Sequence, residues 1–295
     1  MNRFSPSEAA LEGFRLTRER WSTILTWSGV YFVGLAIIAI VMSLILGPKF
    51  IELAKRGDLS DPEAVAELLS QSGPAFLLLV VMVVGLMSVL TAGIYRIILR
   101  PEEKAFAYLR LGPDELRLTA VNLLLFGVGM ACLAVGVGII GLAMRAGGVA
   151  GEAVAAAAVA VVTVWIGVRL SMATPMTFNM KKVSLQSAWK LSRGSFWRLF
   201  GMIVLAVIFY MMILLLITII GLAIAAAGGG QKAMADLSHL TASAGIALVV
   251  SAILQQILSV LQLVMIYAPF AVAYEQLHGD VSVDPLRPAP KSSTS

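Results

Sequence analysis

Charged residues are scarce in this chain. Of its 295 residues only 13% are charged and 59% are hydrophobic, with a mean hydropathy of +0.90. A soluble domain carries about 25% charged residues, so the composition excludes one and indicates a membrane protein. The chain has a single cysteine, Cys132, which rules out an internal disulfide bond.

Residues that perform chemistry are equally rare. There are two histidines, and no cluster of His, Cys or carboxylate side chains has metal-ligand spacing. No phosphate-binding glycine loop or nucleophile elbow is present. Apart from Arg169, near one end of an apolar run, no such run carries a charge. We therefore expect no enzyme activity, no cofactor, no metal and no nucleic-acid partner.

Six apolar runs are long enough to cross the bilayer, which takes about 20 helical residues. The predicted fold is all-α and polytopic, with transmembrane helices at 24–46, 75–95, 118–144, 153–176, 199–227 and 245–274. Pro175 and Pro269 lie near the ends of the fourth and sixth spans. Because proline removes a helical hydrogen bond, we expect both spans to bend or fray there.

The distribution of Lys and Arg predicts the orientation. Seventeen of them lie in the termini and even-numbered loops, against five in the odd-numbered loops. Cytoplasmic loops carry the excess of basic residues, so both termini are predicted to be cytoplasmic. The first apolar run is too long for a cleavable signal peptide and is expected to remain as a span.

A basic, aromatic phrase occurs twice before a predicted span, as EGFRLTRERWSTIL from residue 12 and SAWKLSRGSFWRLF from residue 187. In each copy the apolar and aromatic residues recur at helical spacing, and basic residues flank that face. Such a helix is predicted to lie in the membrane interface with its basic edge among anionic headgroups. The headgroup candidates are Arg15, Arg18, Lys190 and Arg193.

The ends of these helices are also predicted. Ser5 with Glu8, and Pro6 between them, are typical of a helix start. Ser184 is the expected cap of the second copy, and Gly194 its expected stop.

A weaker third copy, PEEKAFAYLRLG, begins at Pro101. The chain is therefore predicted to form three units of one membrane domain, each an interfacial helix followed by a helical hairpin. The units are 1–99, with an outer loop at 47–73 whose helix would start at Ser60, then 100–178 and 179–280, before a disordered cytoplasmic tail at 281–295.

Two stripes within the spans suggest contacts. Small residues at helical spacing in the third span predict close packing against the alanine-rich start of the fourth, at Gly127, Ala131, Ala134, Gly138 and Gly141. The sixth span carries a polar face of Ser251, Gln255, Ser259 and Gln262. Buried amides need partners, so this face indicates either hydrogen bonds between helices or a solute pathway.

The segments RLSMATP, SAWKLSRGSFWRLFG and YAPFAVAYEQLHG, spanning about 169–278, resemble the bacterial integral-membrane family named after the membrane domain of glycerophosphodiester phosphodiesterases. The resemblance implies a stand-alone six-span protein of the bacterial inner membrane without the catalytic domain, for which this chain has no room. We expect a non-enzymatic protein that contacts anionic lipid or scaffolds a partner, as a homo-oligomer or with another membrane protein. The alternative is a transporter or channel for a small or lipidic solute.

Overall fold

The computed structural model describes residues 5–56, 70–183, 185–228 and 241–282, and every element there is helical. The outer-loop helix start at Ser60, the cap Ser184 and residues 283–295 of the predicted tail lie outside the described residues. The α-helices are α1 (Pro6–Glu19), α2 (Trp21–Arg56), α3 (Gly73–Leu99), α4 (Pro113–Leu170), α5 (Ala173–Met180), α6 (Leu185–Leu191), α7 (Phe196–Ala227) and α8 (Ala242–Ser282). Short 3-10 turns lie at Ala105–Tyr108 and Ser192–Gly194.

Within the described chain, five helical stretches are long and apolar enough to cross a membrane: Trp21–Lys49, Gly73–Leu99, Phe106–Met180, Phe196–Ala227 and Ala242–Leu277. They coincide with the predicted spans, and the third stretch contains the third and fourth of them. Large apolar side chains cover the outside of these helices. Water does not favour such a surface, which supports the assignment to a membrane.

Helix α4 folds back on itself at Gly148, which has φ 59° and ψ −151°. Only glycine adopts this backbone conformation readily. A Cβ atom built on Gly136 would lie 2.7 Å from Cγ1 of Val159. In a straight helix these residues would be roughly 35 Å apart. The helix is therefore a hairpin with a first limb, 113–147, and a second limb, 149–170.

The other long helices also pair as antiparallel neighbours. In α2 and α3, Trp27 packs beside Gly93 and Gly34 lies beside Leu86, so their order along the two helices is reversed. At the connection of α7 and α8, a Cβ on Gly228 would lie 2.6 Å from that of Ala247. Among the described residues, α2 therefore pairs with α3, the two limbs of α4 pair with each other, and α7 pairs with α8.

Buried side chains concentrate at one end of the bundle, where α1, the loop 100–112, α5 and α6 lie. We call it the packed end; the basic residues predict that it is cytoplasmic. Its core contains the fully buried Trp27, Tyr95, Leu118, Met172, Phe178 and Tyr274. Towards the opposite end most side chains of the long helices face outwards, as in the second limb of α4. The packed end is therefore where groups from distant parts of the chain meet.

Helix α1 belongs to the packed end. Its N-cap is Ser5, whose Oγ accepts a hydrogen bond from the Glu8 amide, as predicted. The backbone amide of Ser5 donates a hydrogen bond to Oε1 of Gln276, in α8. Further along, a Cβ on Gly13 would lie 3.0 Å from the Cα atom of Met265. Helix α1 therefore runs antiparallel to α8 and touches its backbone, so that one face is covered by protein.

The structure differs from two expectations, which concern the effect of Pro269 and the third copy of the phrase. The chain does break before Pro175, because α4 ends at Leu170 and α5 begins at Ala173. Helix α8, however, continues through Pro269 to Ser282, so the predicted fraying does not occur there, and whether the helix bends stays a prediction. The third copy of the phrase forms only a four-residue 3-10 turn, because Phe106, Ala107 and Tyr108 all have positive φ angles. The predicted threefold repeat of interfacial helices is therefore wrong for the middle unit.

Candidate functional site

A buried ion pair lies at the centre of the packed end. Arg96 in α3 is 1% exposed and Glu115 in α4 is 4% exposed, and Nη2 of the arginine lies 2.5 Å from Oε1 of the glutamate. Nη1 of Arg96 donates to the Tyr108 carbonyl, and Nε lies 3.3 Å from Oε2 of Glu103. A buried charge needs compensation of this kind, so the pair fixes α3 to the start of α4.

A second arginine extends this cluster. Nη1 of Arg100 lies 3.1 Å from Oδ2 of Asp114, and its Nη2 donates to the Phe178 carbonyl at 3.0 Å. The Phe178 ring lies under both guanidinium groups, with its centroid 4.6 Å from Cζ of Arg100 and 5.6 Å from that of Arg96. Helices α3, α4 and α5 thus meet through charges that are already paired, which indicates a structural role.

The loop between α3 and α4 is tied to the rest of the packed end. Nε1 of Trp27 donates to the Ala107 carbonyl at 2.8 Å. Nη1 of Arg20 reaches the Tyr108 hydroxyl at 3.5 Å. The indole bond holds one of the three left-handed residues in place, and such residues are costly unless their surroundings fix them.

Arg169, near the end of the second limb of α4, lies against two tryptophan rings. Its Cζ lies 5.5 Å from the ring centroid of Trp165 and 5.5 Å from that of Trp189. The two rings are perpendicular, with centroids 5.1 Å apart. The Ser192 hydroxyl contacts the carbonyl oxygens of Arg169, at 3.0 Å, and Trp189, at 3.1 Å, which docks α6 and its 3-10 turn on α4. We call Trp165, Arg169 and Trp189 the indole clamp.

The guanidinium in the indole clamp lacks hydrogen-bond acceptors. Nε and Nη1 of Arg169 are buried, and neither has a partner in the described part of the chain. The ion pairs found among the described residues do not include Arg169. Aromatic faces stabilise a cation, but they leave N–H groups at the guanidinium edge unbonded. The described chain therefore leaves the hydrogen-bonding capacity of Arg169 partly unmet.

The four predicted headgroup residues are in unlike positions. Lys190 and Arg193, in the second copy of the phrase, are exposed next to the indole clamp. Arg15, in the first copy, is exposed but ion-paired to Glu12, with Nη2 and Oε1 2.8 Å apart. Arg18 is exposed in the last turn of α1. The two copies therefore have different environments, and whether any of the four contacts lipid stays a prediction.

An acidic cavity of about 700 Å³ lies beside α1. Its lining includes Glu8, Glu12, Glu19 and Glu275 together with Arg15 and Arg20. Burial raises the pKa of Glu12, although the nearby Arg15 opposes the shift. Charges of both signs thus meet at the first copy, which does not form a purely basic edge.

Two further cavities lie between the long helices. An apolar groove of about 950 Å³ separates α2 from α3 and ends at the loop residues Arg110 and Gly112. A smaller cavity of about 520 Å³ lies among α3, both limbs of α4, α5 and α8. Its lining includes Asn122, Thr163, Thr174, Tyr267 and Cys132. The first suits an acyl chain, whereas the second offers hydroxyl and amide groups.

Neither predicted intramembrane stripe has its expected surroundings. All five members of the small-residue stripe, Gly127, Ala131, Ala134, Gly138 and Gly141, are exposed, and no atom lies within 4 Å of a Cβ built on its three glycines. The close contact between the limbs of α4 is made by Gly136 instead. The predicted packing is therefore wrong within the described chain, because the helix is rotated so that Gly136 faces inwards.

The polar face of the sixth span is also placed differently. Ser251, Ser259 and Gln262 are half-buried and Gln255 is exposed. Ser259 donates to the Gln255 carbonyl within the same helix, at 2.9 Å. None of the four is among the residues lining the cavities described above. Whether this face binds a solute or another helix stays a prediction.

Several residues of the packed end were not recognised from the sequence. Arg96 and Arg100 were counted only as basic loop residues, whereas they pair with carboxylates across the loop. The signal was present, because the flanks of the loop read RIILRPEE and PDELR, with opposite charges on α3 and α4. Gln256 was also missed; its side-chain oxygen is buried without a partner among the described residues.

No family model, no curated protein and no solved structure matches this chain. Among the described residues, no group of three or more His, Cys, Asp or Glu is placed to hold a metal ion.

Proposed function

We propose that this protein is a non-enzymatic, six-pass protein of the bacterial inner membrane whose packed end binds anionic lipid. Helices α2, α3, α7 and α8 and the two limbs of α4 are the six passes, and the reversal at Gly148 supports counting the limbs separately. The excess of basic residues supports placing both termini in the cytoplasm. The resemblance to the glycerophosphodiester phosphodiesterase membrane family agrees with this architecture.

The basic aromatic patch formed by the second phrase carries the proposal. Between Glu152 and Asp236 the chain has no acidic residue but six Arg and Lys on the predicted cytoplasmic side, including Lys190, Arg193 and Arg198. Those three are exposed, and Trp197 beside them is 77% exposed. Indoles prefer the membrane interface, and each basic residue near an anionic leaflet contributes about 1 kcal/mol of attraction. The patch therefore favours an anionic lipid surface.

The first phrase provides an internal comparison. Its Gly13 lies against the backbone of Met265 in α8, and its Phe14 ring packs edge-on against Phe209 of α7, with centroids 5.3 Å apart. Arg15 is already paired to Glu12. The proposal accordingly assigns lipid binding mainly to Lys190 and Arg193, and a packing role to α1.

The test compares two double variants. Lys190→Gln with Arg193→Gln removes two charges from the second phrase, and Arg15→Gln with Arg18→Gln removes two from the first. Native mass spectrometry then measures the phosphatidylglycerol and cardiolipin that co-purify with each protein. The first pair is expected to lose most of the bound anionic lipid and the second pair little. Equal retention by wild type and the Lys190/Arg193 variant would refute the lipid role.

The polar cavity of about 520 Å³ favours a second candidate, a transporter or channel for a small solute. Nδ2 of its Asn122 donates to Ser88 at 2.9 Å, and its Thr174 is hydrogen-bonded to Tyr95. Tyr267 and Thr163 make no hydrogen bond with the described residues. A solute with hydroxyl groups would find free partners there.

The single cysteine distinguishes the two candidates, because Cys132 lines this cavity. A membrane-impermeant methanethiosulfonate reagent labels it only if the cavity contains water that connects to the bulk. Labelling in unmodified protein, slowed by an added solute, would favour the transporter. A thiol that remains unreactive until the protein is denatured would favour the lipid-binding function.

A further inference from the structure

We propose that the indole clamp is a specific binding site for the phosphate group of an anionic phospholipid, with Arg169 as its hydrogen-bond donor. This inference rests on the proposed lipid-binding function and names one residue, not predicted as a headgroup ligand, that makes the binding selective. Lys190 and Arg193 supply the surrounding positive potential; Arg169 makes the directed bonds.

The first argument is the unmet bonding capacity of the guanidinium. Nε and Nη1 of Arg169 are buried and have no acceptor in the described part of the chain. Arg96 and Arg100 each bond to a carboxylate and a carbonyl oxygen, and the Nε of Arg96, which is also without a hydrogen bond, lies 3.3 Å from a carboxylate oxygen of Glu103. Leaving a buried donor unpaired is unfavourable, more so when it is charged. The acid-free segment between Glu152 and Asp236 provides no carboxylate for it. A ligand from outside the chain can fill this role.

The second argument is the rigidity of the clamp. Trp165 is one helical turn before Arg169 on α4, and Trp189 approaches from α6. The Ser192 hydroxyl fixes α6 against the Arg169 carbonyl. Two perpendicular rings at equal distances restrict the guanidinium, so that little side-chain entropy remains to be lost on binding. Arginine in such a setting forms paired bonds to phosphate oxygens that lysine does not match.

The third argument identifies the phosphate as that of a lipid. Trp165 is 41% exposed, and the preceding turns of the second limb present Val161, Val162 and Val164 to the outside. A phosphate in the clamp therefore lies at the end of an apolar helix surface along which acyl chains can extend. Free phosphate would meet the same guanidinium but gain nothing from that surface.

The experiment uses full-length protein in nanodiscs of phosphatidylcholine with increasing phosphatidylglycerol. Thermal unfolding reports binding, because a ligand of the folded state stabilises it. Arg169→Gln is compared with Lys104→Gln, which removes an exposed charge from the loop 100–112, outside the basic aromatic patch. We expect Arg169→Gln to weaken the apparent phosphatidylglycerol affinity at least tenfold and Lys104→Gln to change it less than threefold. Arg169→Lys, which keeps the cation between the rings, is expected to fold and to lose affinity by an intermediate factor.

The outcomes separate the two proposals. If wild type shows no preference for phosphatidylglycerol, the proposed function itself fails. If the preference is present and the Lys190/Arg193 pair removes it, but Arg169→Gln and Arg169→Lys bind like wild type, only the clamp fails. Equal weakening by Lys104→Gln would show that binding depends only on the overall positive charge of this end of the protein, and would overturn a specific site. Stabilisation by inorganic phosphate equal to that by the lipid would overturn the lipid assignment.

Discussion

Replacing Arg96 by methionine should be among the most damaging single substitutions at the packed end. The guanidinium is 1% exposed, and its partner Glu115 is 4% exposed, 2.5 Å away. Methionine fills similar space but leaves the carboxylate buried without its cation and removes the bond to the Tyr108 carbonyl. Breaking one side of a buried ion pair costs about 3–5 kcal/mol. We expect a loss of this size in the free energy of unfolding.

A double-mutant cycle isolates the interaction between Arg96 and Glu115 from the other effects of each substitution. Glu115→Gln alone should also destabilise, because Arg96 is then buried with only Glu103 as an acidic partner. Combining Arg96→Met with Glu115→Gln leaves no unpaired charge in the pair, so the double variant should lose less than the sum of the two single losses. We expect a coupling free energy of about 2 kcal/mol or more, within the range for contacting residues.

Equilibrium unfolding in mixed micelles measures these free energies. The matched control is Arg110→Gln, because Arg110 also pairs with a carboxylate, Glu103, at 3.3 Å, but is 55% exposed. An exposed pair contributes about 0–1 kcal/mol. If Arg96→Met costs no more than Arg110→Gln, or the cycle shows no coupling, the buried pair does not hold α3 to α4.

Gly136→Leu should destabilise the hairpin of α4, because its Cβ would lie 2.7 Å from Val159, whereas Gly138→Leu should leave the unfolding midpoint unchanged; equal midpoints would contradict the described rotation of the first limb. Gly85→Leu, at a position in the apolar groove with no atom within 4 Å of an added Cβ, should fold normally yet reduce co-purified lipid relative to Gly138→Leu; unchanged lipid content would argue against lipid in the groove. Burial raises the pKa of Glu12, so this carboxyl keeps its proton to higher pH in the folded state than in the unfolded state. The protein should therefore lose stability as the pH rises from about 4.3, the ordinary glutamate value, through the folded-state pKa. Glu12→Gln should remove that loss, and thermal unfolding of both proteins between pH 4 and 8 would contradict this reasoning if their difference stays constant.

Local features of the fold were predictable from the sequence. The start of α1 at Pro6 with its Ser5 cap, the apolar helices and the stop at Gly194 depend on neighbouring residues only. Proline was less informative, because the chain breaks before Pro175 but α8 continues through Pro269. A proline near the end of an apolar run therefore does not by itself predict where a helix ends in this chain.

The rotation of each helix could not be read from the sequence. In a membrane both the lipid-facing and the protein-facing sides of a helix are apolar, so hydropathy does not distinguish them. The glycine stripe was therefore assigned to an interface, whereas Gly136 occupies it. Arg96 and Glu115 are 19 positions apart, and Trp189 of the indole clamp is about 20–24 positions from the other two members. These contacts depend on how separate helices pack. Charges of opposite sign across the 100–112 loop were the only local hint.

The contact between α1 and α8 has a consequence for biosynthesis. Ser5 and Gln276, which it joins, are 271 positions apart. At about 5–20 residues per second, the ribosome makes the partner of α1 roughly 15–55 s after α1 itself. During that interval Gly13 has no α8 to pack against. The face of α1 that contacts α8 therefore stays uncovered until α8 has been synthesised and inserted.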